Sequence, residues 1–308
     1  MSCILVTTDL SPNARTAYPH ALRLARAYRL PIRLLHVVDK VYQFNAASHG
    51  DSDTYLEQLT DMRRAELLEE AKRFEAEGVV VKTSARLGRA IPEIVAQSGR
   101  ARVLVMASHG YGGFRRFMLG SVASRVMQQS DAPVLIVNCD DPDQKSSATS
   151  VNYDRILIGT DLSEKASGAL ERTARLLAPV CLNRDPAVEL FHADVEPNRI
   201  TQGREERFDV PGATPDEYKA VVDERLATMK SRLAEDGLNV TTKTLQARRA
   251  ADALHARAEA LDVELLVVSS HGRGRLSVAW LGSTCDEVIR LTHRPVLIIR
   301  PRSEPMEG

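Results

Sequence analysis

The feature that most constrains this chain is that it repeats itself once. ILVTTDLSPNA at 4–14 returns as ILIGTDLSEKA at 156–166, and LLHVVD at 34–39 returns as LFHADV at 190–195. SHG at 108–110 returns at 270–272, and PVLIV at 133–137 returns as PVLII at 295–299. The offset between copies grows from 152 to 156 to 162 residues, so the second copy carries short insertions. Solenoid and propeller repeats run about 20–50 residues. This period is that of a whole domain, and each copy is long enough to bury a core of its own. A chain of 308 residues fits two such domains. They are expected at 1–140 and 154–308, with the polar, Ser/Thr-rich stretch at 141–153 as linker.

Within a copy, apolar runs alternate with helical patterns. CILVTT, IRLLHVV, VVVKTSA, RVLVMA and PVLIV are short, β-branched and little interrupted by polar residues, as strands buried on both faces are. Between them, SPNARTAYPHALRLARAY has helical spacing with Ser11 placed as an N-cap, a long charged helix is expected near 54–77, AIPEIVAQSG is a short helix, and another helix opens at Ser121. Strand–helix alternation of this kind gives a parallel sheet covered on both faces. The expected fold is therefore α/β: two repeated doubly wound domains, each a five-stranded parallel sheet with helices on both faces. In such sheets ligands bind at the carboxyl ends of the strands, where the strand order reverses. Asp9 and the loop after Ala107 fall at such ends in the first copy, and Asp161 and the loop after Ser269 in the second.

Composition narrows the function classes. Lys plus Arg equals Asp plus Glu at 41 each, which argues against a strongly basic nucleic-acid binder. Cys3, Cys139, Cys181 and Cys285 form no CxxC pair and no ligand-spaced cluster, so neither a zinc site nor a disulfide framework is expected, and a reducing compartment fits. No stretch approaches the roughly 20 apolar residues of a membrane span. The apolar start MSCILVTT meets Asp9 too soon for a signal peptide. The expectation is a cytoplasmic protein without nucleic-acid or membrane partners.

The loops SHGYGGFRRFMLGS (108–121) and SHGRGRLSVAWLGS (270–283) have a phosphate-binding reading. Glycines admit close backbone approach, and the helix that opens after Gly120 or Gly282 presents unpaired N–H groups and a partial positive charge to an anion. Ser121 and Ser283 add hydroxyl donors. The alternative is purely structural: the glycines make turns and the serines cap helices, Ser283-x-x-Asp286 having the form of a capping box. Two copies, each paired with an Asp after the first strand, favour the phosphate reading. His36 and His192 read as core histidines, and His109 and His271 either face phosphate or order the loop. Arg115, Arg116, Arg273 and Arg275 read as solvated.

These residues resemble the universal stress protein family, in tandem and over nearly the whole chain. Nucleotide-binding members carry G-x2-G-x9-G-[S/T] after the fourth strand. Gly110, nine residues, then Gly120-Ser121 match its later elements, as do Gly272, nine residues, then Gly282-Ser283. The first glycine is replaced by Ala107 in one copy and by Ser269 in the other. The resemblance implies an ATP site in each half. The first would comprise Thr8, Asp9, Val37, Ala107, His109, Gly110, Gly120, Ser121 and Val122. The second would comprise Thr160, Asp161, Ala193, Ser269, His271, Gly272, Gly282, Ser283 and Thr284. Asp9 and Asp161 would meet the ribose, and Val37 and Ala193 the adenine through their backbone. It also implies paired terminal strands, a homodimer, and a stress-response regulator or sensor working through an as yet unknown protein partner, with ATP and optionally Mg²⁺ as ligands. A slow nucleotide hydrolase and a scaffold that has lost nucleotide binding remain as alternatives. No GxxxxGK[ST] is present to support the first of these. The loops at 39–53 and 195–213 differ most between the halves.

Overall fold

The computed structural model describes residues 2–39, 52–109, 119–139, 151–182, 184–195, 214–270 and 282–300. Gly110, His271, Gly272, the four loop arginines, most of the 141–153 linker and most of the loops at 39–53 and 195–213 lie outside the described residues.

The chain divides into two compact units, 1–152 with 293–298, and 153–292 with 299–308. In the first, β1 (Cys3–Thr7) is fully buried and lies between β2 (Ile32–Asp39) and β4 (Ala101–Ala107), with β3 (Val81–Gly88) beyond β2 and β5 (Val134–Val137) beyond β4. All four pairings are parallel, with Ile4 opposite Ile32 and Val103, Ile32 opposite Val81, and Leu104 opposite Val134. Helices α1 (Tyr18–Tyr28), α2 (Ser52–Glu75), α3 (Ala90–Ser98) and α4 (Ser121–Gln129) cover both faces of this sheet. The second unit repeats the plan with β6 (Arg155–Thr160) between β7 (Ala187–Val195) and β9 (Leu265–Ser269), and β8 (Val240–Ala247) beyond β7. These pairings too are parallel. Its helices are α5 (Glu164–Cys181), α6 (Pro215–Glu235), α7 (Ala250–Ala260) and α8 (Ser283–Leu291). The last strand, β10 (Val296–Ile299), pairs antiparallel with β5, Leu297 facing Leu135. The fold is thus the α/β architecture expected from the alternation of strands and helices.

Two local departures from expectation have plain causes. The first helical stretch is broken: a 3₁₀ segment at Asn13–Ala17 precedes α1. Pro19 has no N–H to give to the carbonyl four residues back, so the turn before it closes with shorter bonds. The third strand begins at Val81 because the Val79 amide is already used, returning to the Phe74 carbonyl at 3.2 Å to end α2 around Gly78 at φ +74°.

Candidate functional site

At the carboxyl end of β1 the backbone is tied down by its own side chains. The Thr8 amide continues the ladder to the Leu35 carbonyl at 3.0 Å. The Thr8 hydroxyl then accepts the Leu10 amide, and Asp9 Oδ1 accepts the Ser11 amide, each at 3.0 Å. These two short closures hold Leu10 at φ +68°, a region costly for a residue with a Cβ. Tyr18 donates its hydroxyl to Thr8 Oγ1 at 3.2 Å and packs its ring on Phe74, centroids 4.6 Å apart. Burial pushes the Tyr18 hydroxyl well above its ordinary range, so it stays protonated and remains a donor. The strained turn therefore holds Asp9 half-buried at the strand end, one carboxylate oxygen on the Ser11 amide, while Thr8 stays buried.

The other side of the crevice is built from β4 and α4. The Ser108 amide bonds the Val137 carbonyl at 2.8 Å, and the Ser108 carbonyl accepts the Gly120 amide at 2.8 Å. A Cβ at Gly120 would sit 3.0 Å from that carbonyl oxygen, so the return of the loop onto its own base needs glycine. Gly120, at φ −59° and ψ 145°, is the N-cap of α4, and no side chain caps the helix. Its first-turn amides, those of Ser121 and Val122 included, thus face the crevice end of the sheet with the positive end of the helix dipole behind them.

The second unit reproduces the turn and the helix start, though not the Tyr18 bond, and there the Ser163 hydroxyl also donates to Asp161 Oδ1 at 2.7 Å. Thr160 Oγ1 accepts the Leu162 amide at 3.1 Å, Asp161 Oδ1 accepts the Ser163 amide at 3.1 Å, and Leu162 sits at φ +61°. The Ser270 amide bonds the Ile299 carbonyl at 2.9 Å, and the Gly282 amide bonds the Ser270 carbonyl at 2.8 Å. Gly282, at φ −59° and ψ 142°, is the N-cap of α8, again with no side-chain cap. Below each turn a buried histidine braces the strands. His36 Nδ1 lies 2.9 Å from the Thr8 carbonyl and His192 Nδ1 lies 3.0 Å from the Thr160 carbonyl. A carbonyl only accepts, so Nδ1 carries the proton in both rings. Burial lowers the His36 pKa and outweighs the bond to Thr8 that raises it, so the ring is a neutral brace.

Comparison with known proteins now decides the family. The universal stress protein family model matches residues 1–138 and again 152–300. The chain belongs to the universal stress protein family. A universal stress protein of Mycolicibacterium smegmatis is 27% identical over 310 residues, covering 97% of each chain, and one of Mycobacterium tuberculosis H37Rv is 26% identical over 318 residues, covering 96% of each. Among solved structures, a universal stress protein from Archaeoglobus fulgidus superposes with a TM-score of 0.71 at 22% identity over 97% of this chain and 98% of that one. A universal stress protein structure from Pseudomonas aeruginosa gives 0.65 at 16% identity over 98% and 94%. At these identities the structures attest the fold.

In this tandem universal stress protein, each half gathers most of its expected site at one sheet end. Thr8, Asp9, Val37, Ala107, His109, Gly120, Ser121 and Val122 lie at the carboxyl ends of β1, β2 and β4 and at the start of α4. Thr160, Asp161, Ala193, Ser269, Gly282, Ser283 and Thr284 occupy the matching places. His109 Nδ1 lies 2.8 Å from Ser108 Oγ, which ties the ring to the base of its loop. The purely structural alternative is not met at Ser283. Ser283-x-x-Asp286 forms no capping box, because the Gly282 amide is drawn to Ser270 and makes Gly282 the cap, placing Ser283 inside the helix. Asp286 instead pairs with Arg290, Oδ2 to Nε at 3.0 Å. Serines do cap where the strand-one turn ends: Ser11 Oγ accepts the Ala14 amide and Ser163 Oγ the Ala166 amide, each at 3.1 Å. Tyr18 went unnoticed in the sequence because its phenol looks like one more residue of a helix face. Arg225, which donates to the Leu162 carbonyl at 3.1 Å, is equally hidden in a long charged helix.

Proposed function

We propose that each half of this universal stress protein binds an adenine nucleotide, ATP, and that occupancy biases the conformation the protein offers to a protein partner in a stress response. The observation that carries the reading is the twofold occurrence of one arrangement: an uncapped, glycine-opened helix N-terminus and an Asp at the end of the neighbouring strand, at a strand switch point. A helix start of that kind supplies donors for phosphate, and the Asp supplies an acceptor for ribose hydroxyls. Phosphate would lie on the amides of Ser121 and Val122, or of Ser283 and Thr284, together with Gly110 or Gly272 from the loop, the Gly120 and Gly282 amides being held by Ser108 and Ser270. Among the described residues no three His, Cys, Asp or Glu converge as a metal site. Mg²⁺ would then be held by phosphate oxygens and water, as is usual for this ion.

The site offers donors for phosphates in their ground state, and binding of that sort does not itself speed chemistry. Binding energy can instead shift a conformational equilibrium. Gly120→Glu together with Gly282→Glu puts a carboxylate where phosphate is to sit and should abolish ATP binding by calorimetry; retained affinity would show the site to be wrong. Turnover of about 1 per second or faster would favour a hydrolase, and a wild-type chain that binds no nucleotide would favour a scaffold. The same reading takes the chain as a cytoplasmic homodimer, which sedimentation tests: a species of 34.0 kDa alone would reject the dimer.

A further inference from the structure

The helices that overhang the two sites can be aligned by how they end. Gly78 and Gly237 both take positive φ, +74° and +84°. The Val79 amide returns to the Phe74 carbonyl as the Leu238 amide returns to Leu233, at 3.2 and 3.3 Å. In this register Leu67, Glu70 and Phe74 of α2 correspond to Leu226, Met229 and Leu233 of α6, and all six are buried. The residues facing the strand ends then differ sharply in charge. Arg63 and Glu66 of α2 correspond to Val222 and Arg225 of α6.

Both sets lie beside their Asp-bearing turns. Arg63 Nη1 and Glu66 pair at 2.6 Å, and both act on His36, as Asp9 does. Glu70, the next residue along this face, is held by Arg15 at 2.8 Å. Arg225 Nη1 donates to the carbonyl of Leu162, the residue after Asp161, at 3.1 Å. Met229 receives the Thr160 hydroxyl on its sulfur at 3.5 Å. One cation and two anions on the helix in the first unit are thus replaced by a single cation in the second. The strand-end residue differs too, Ala107 having a methyl group where Ser269 has a hydroxyl.

We propose that the two nucleotide sites are inequivalent, with Arg225 making the second unit's site selective for the more highly phosphorylated nucleotide and Glu66 denying that preference to the first. This rests on the site reading above. A guanidinium within a Debye length of the ligand favours each added phosphate charge, whereas a carboxylate at the same place opposes it. The nucleoside part carries no charge and is indifferent to the exchange. Selectivity, read as the ratio of ATP to adenosine affinity, is therefore the property that separates the sites.

The test uses the full-length chain titrated with ATP, AMP and adenosine by calorimetry at low salt. Wild-type protein should bind ATP in two steps about tenfold or more apart and adenosine in one. Arg225→Gln keeps a donor for the Leu162 carbonyl but removes the charge. It should weaken the tighter ATP step about tenfold, leave adenosine binding unchanged and merge the two steps, while Arg225→Lys should keep them apart. Glu66→Gln should tighten the weaker step severalfold. Equal ATP-to-adenosine ratios at both sites, or a ratio unmoved by Arg225→Gln in a folded protein, overturns the inequivalence and leaves the site reading standing. A chain that binds none of the three ligands overturns both.

Discussion

The Gly120 amide donates to the Ser108 carbonyl at 2.8 Å, which fixes the start of α4 at the carboxyl end of β4, the strand that pairs with Asp9's strand β1. A methyl group at Gly120 would stand 3.0 Å from that oxygen, which is backbone and cannot rotate away. Gly120→Ala should therefore cost about 1–3 kcal/mol of stability through displacement of the loop base and weaken nucleotide binding in the first unit while sparing the second. Thermal melts with calorimetric titration check both parts.

Thr8 tests the turn that carries Asp9. Its hydroxyl is buried and serves both the Leu10 amide and the Tyr18 phenol. Thr8→Val is nearly isosteric but strands two donors, each costing about 1–3 kcal/mol when left unsatisfied. Tyr18→Phe removes one donor together with its need and should cost about 1 kcal/mol. Thr160→Val should be milder than Thr8→Val, because Thr160 is half-buried and gives its own proton to a weak acceptor, the Met229 sulfur. Urea denaturation of the three variants orders them.

What the sequence made legible follows from what repeats. The strand-one turn, the Gly-Ser helix starts and the strand-two histidines recur with their spacing nearly intact, and each recurrence is a repeated backbone demand. The capping-box alternative at Ser283 is not realised because such a box is a local pattern, whereas the cap is chosen by a tertiary bond from Gly282 to Ser270. The helix-one break was hidden because a Pro in the first turn of a helix is ordinarily harmless; here Pro19 follows residues that must also cover the strand end. Arg225 and Glu66 escaped notice for another reason. Their helices carry charge on most sides, and only the coincidence of Gly78 with Gly237 shows that the two residues share a place.

The second unit carries an ion pair whose removal should be felt. Arg257 meets Glu189 side-on through one guanidinium edge, Nε to Oε1 at 2.8 Å and Nη2 to Oε2 at 2.5 Å, with side chains only 24% and 12% exposed. Arg257→Ala leaves that carboxylate mostly buried and unpaired, a loss of about 3 kcal/mol. Arg64→Ala breaks a pair whose side chains are 59% and 71% exposed and should cost less than about 0.5 kcal/mol. Equal shifts in the urea midpoint for the two variants would show that burial of the Arg257 pair counts for little.

Acid should loosen the first unit before it reaches the ordinary carboxylates. His20 is buried in α1, and desolvation lowers its pKa from 6.5 to about 3; His36 is lowered in the same direction, by burial first. A lowered histidine pKa means that the unfolded chain takes up the proton more readily than the folded one. The neutral rings therefore cost nothing above pH 6.5, and stability falls as the pH drops from 6.5 toward 3, the unfolded state binding the extra proton throughout that window. For His20 alone the slope approaches about 1.4 kcal/mol per pH unit in the middle of the window. His20→Gln cannot titrate, so its stability at pH 7 should be lower or equal, yet its decline between pH 6 and pH 4.5 should be shallower by roughly that slope. The measurement is the urea midpoint at several pH values in this range. Parallel curves for wild type and His20→Gln would assign the acid sensitivity to other groups and show that His20 binds its proton alike in the folded and unfolded chain.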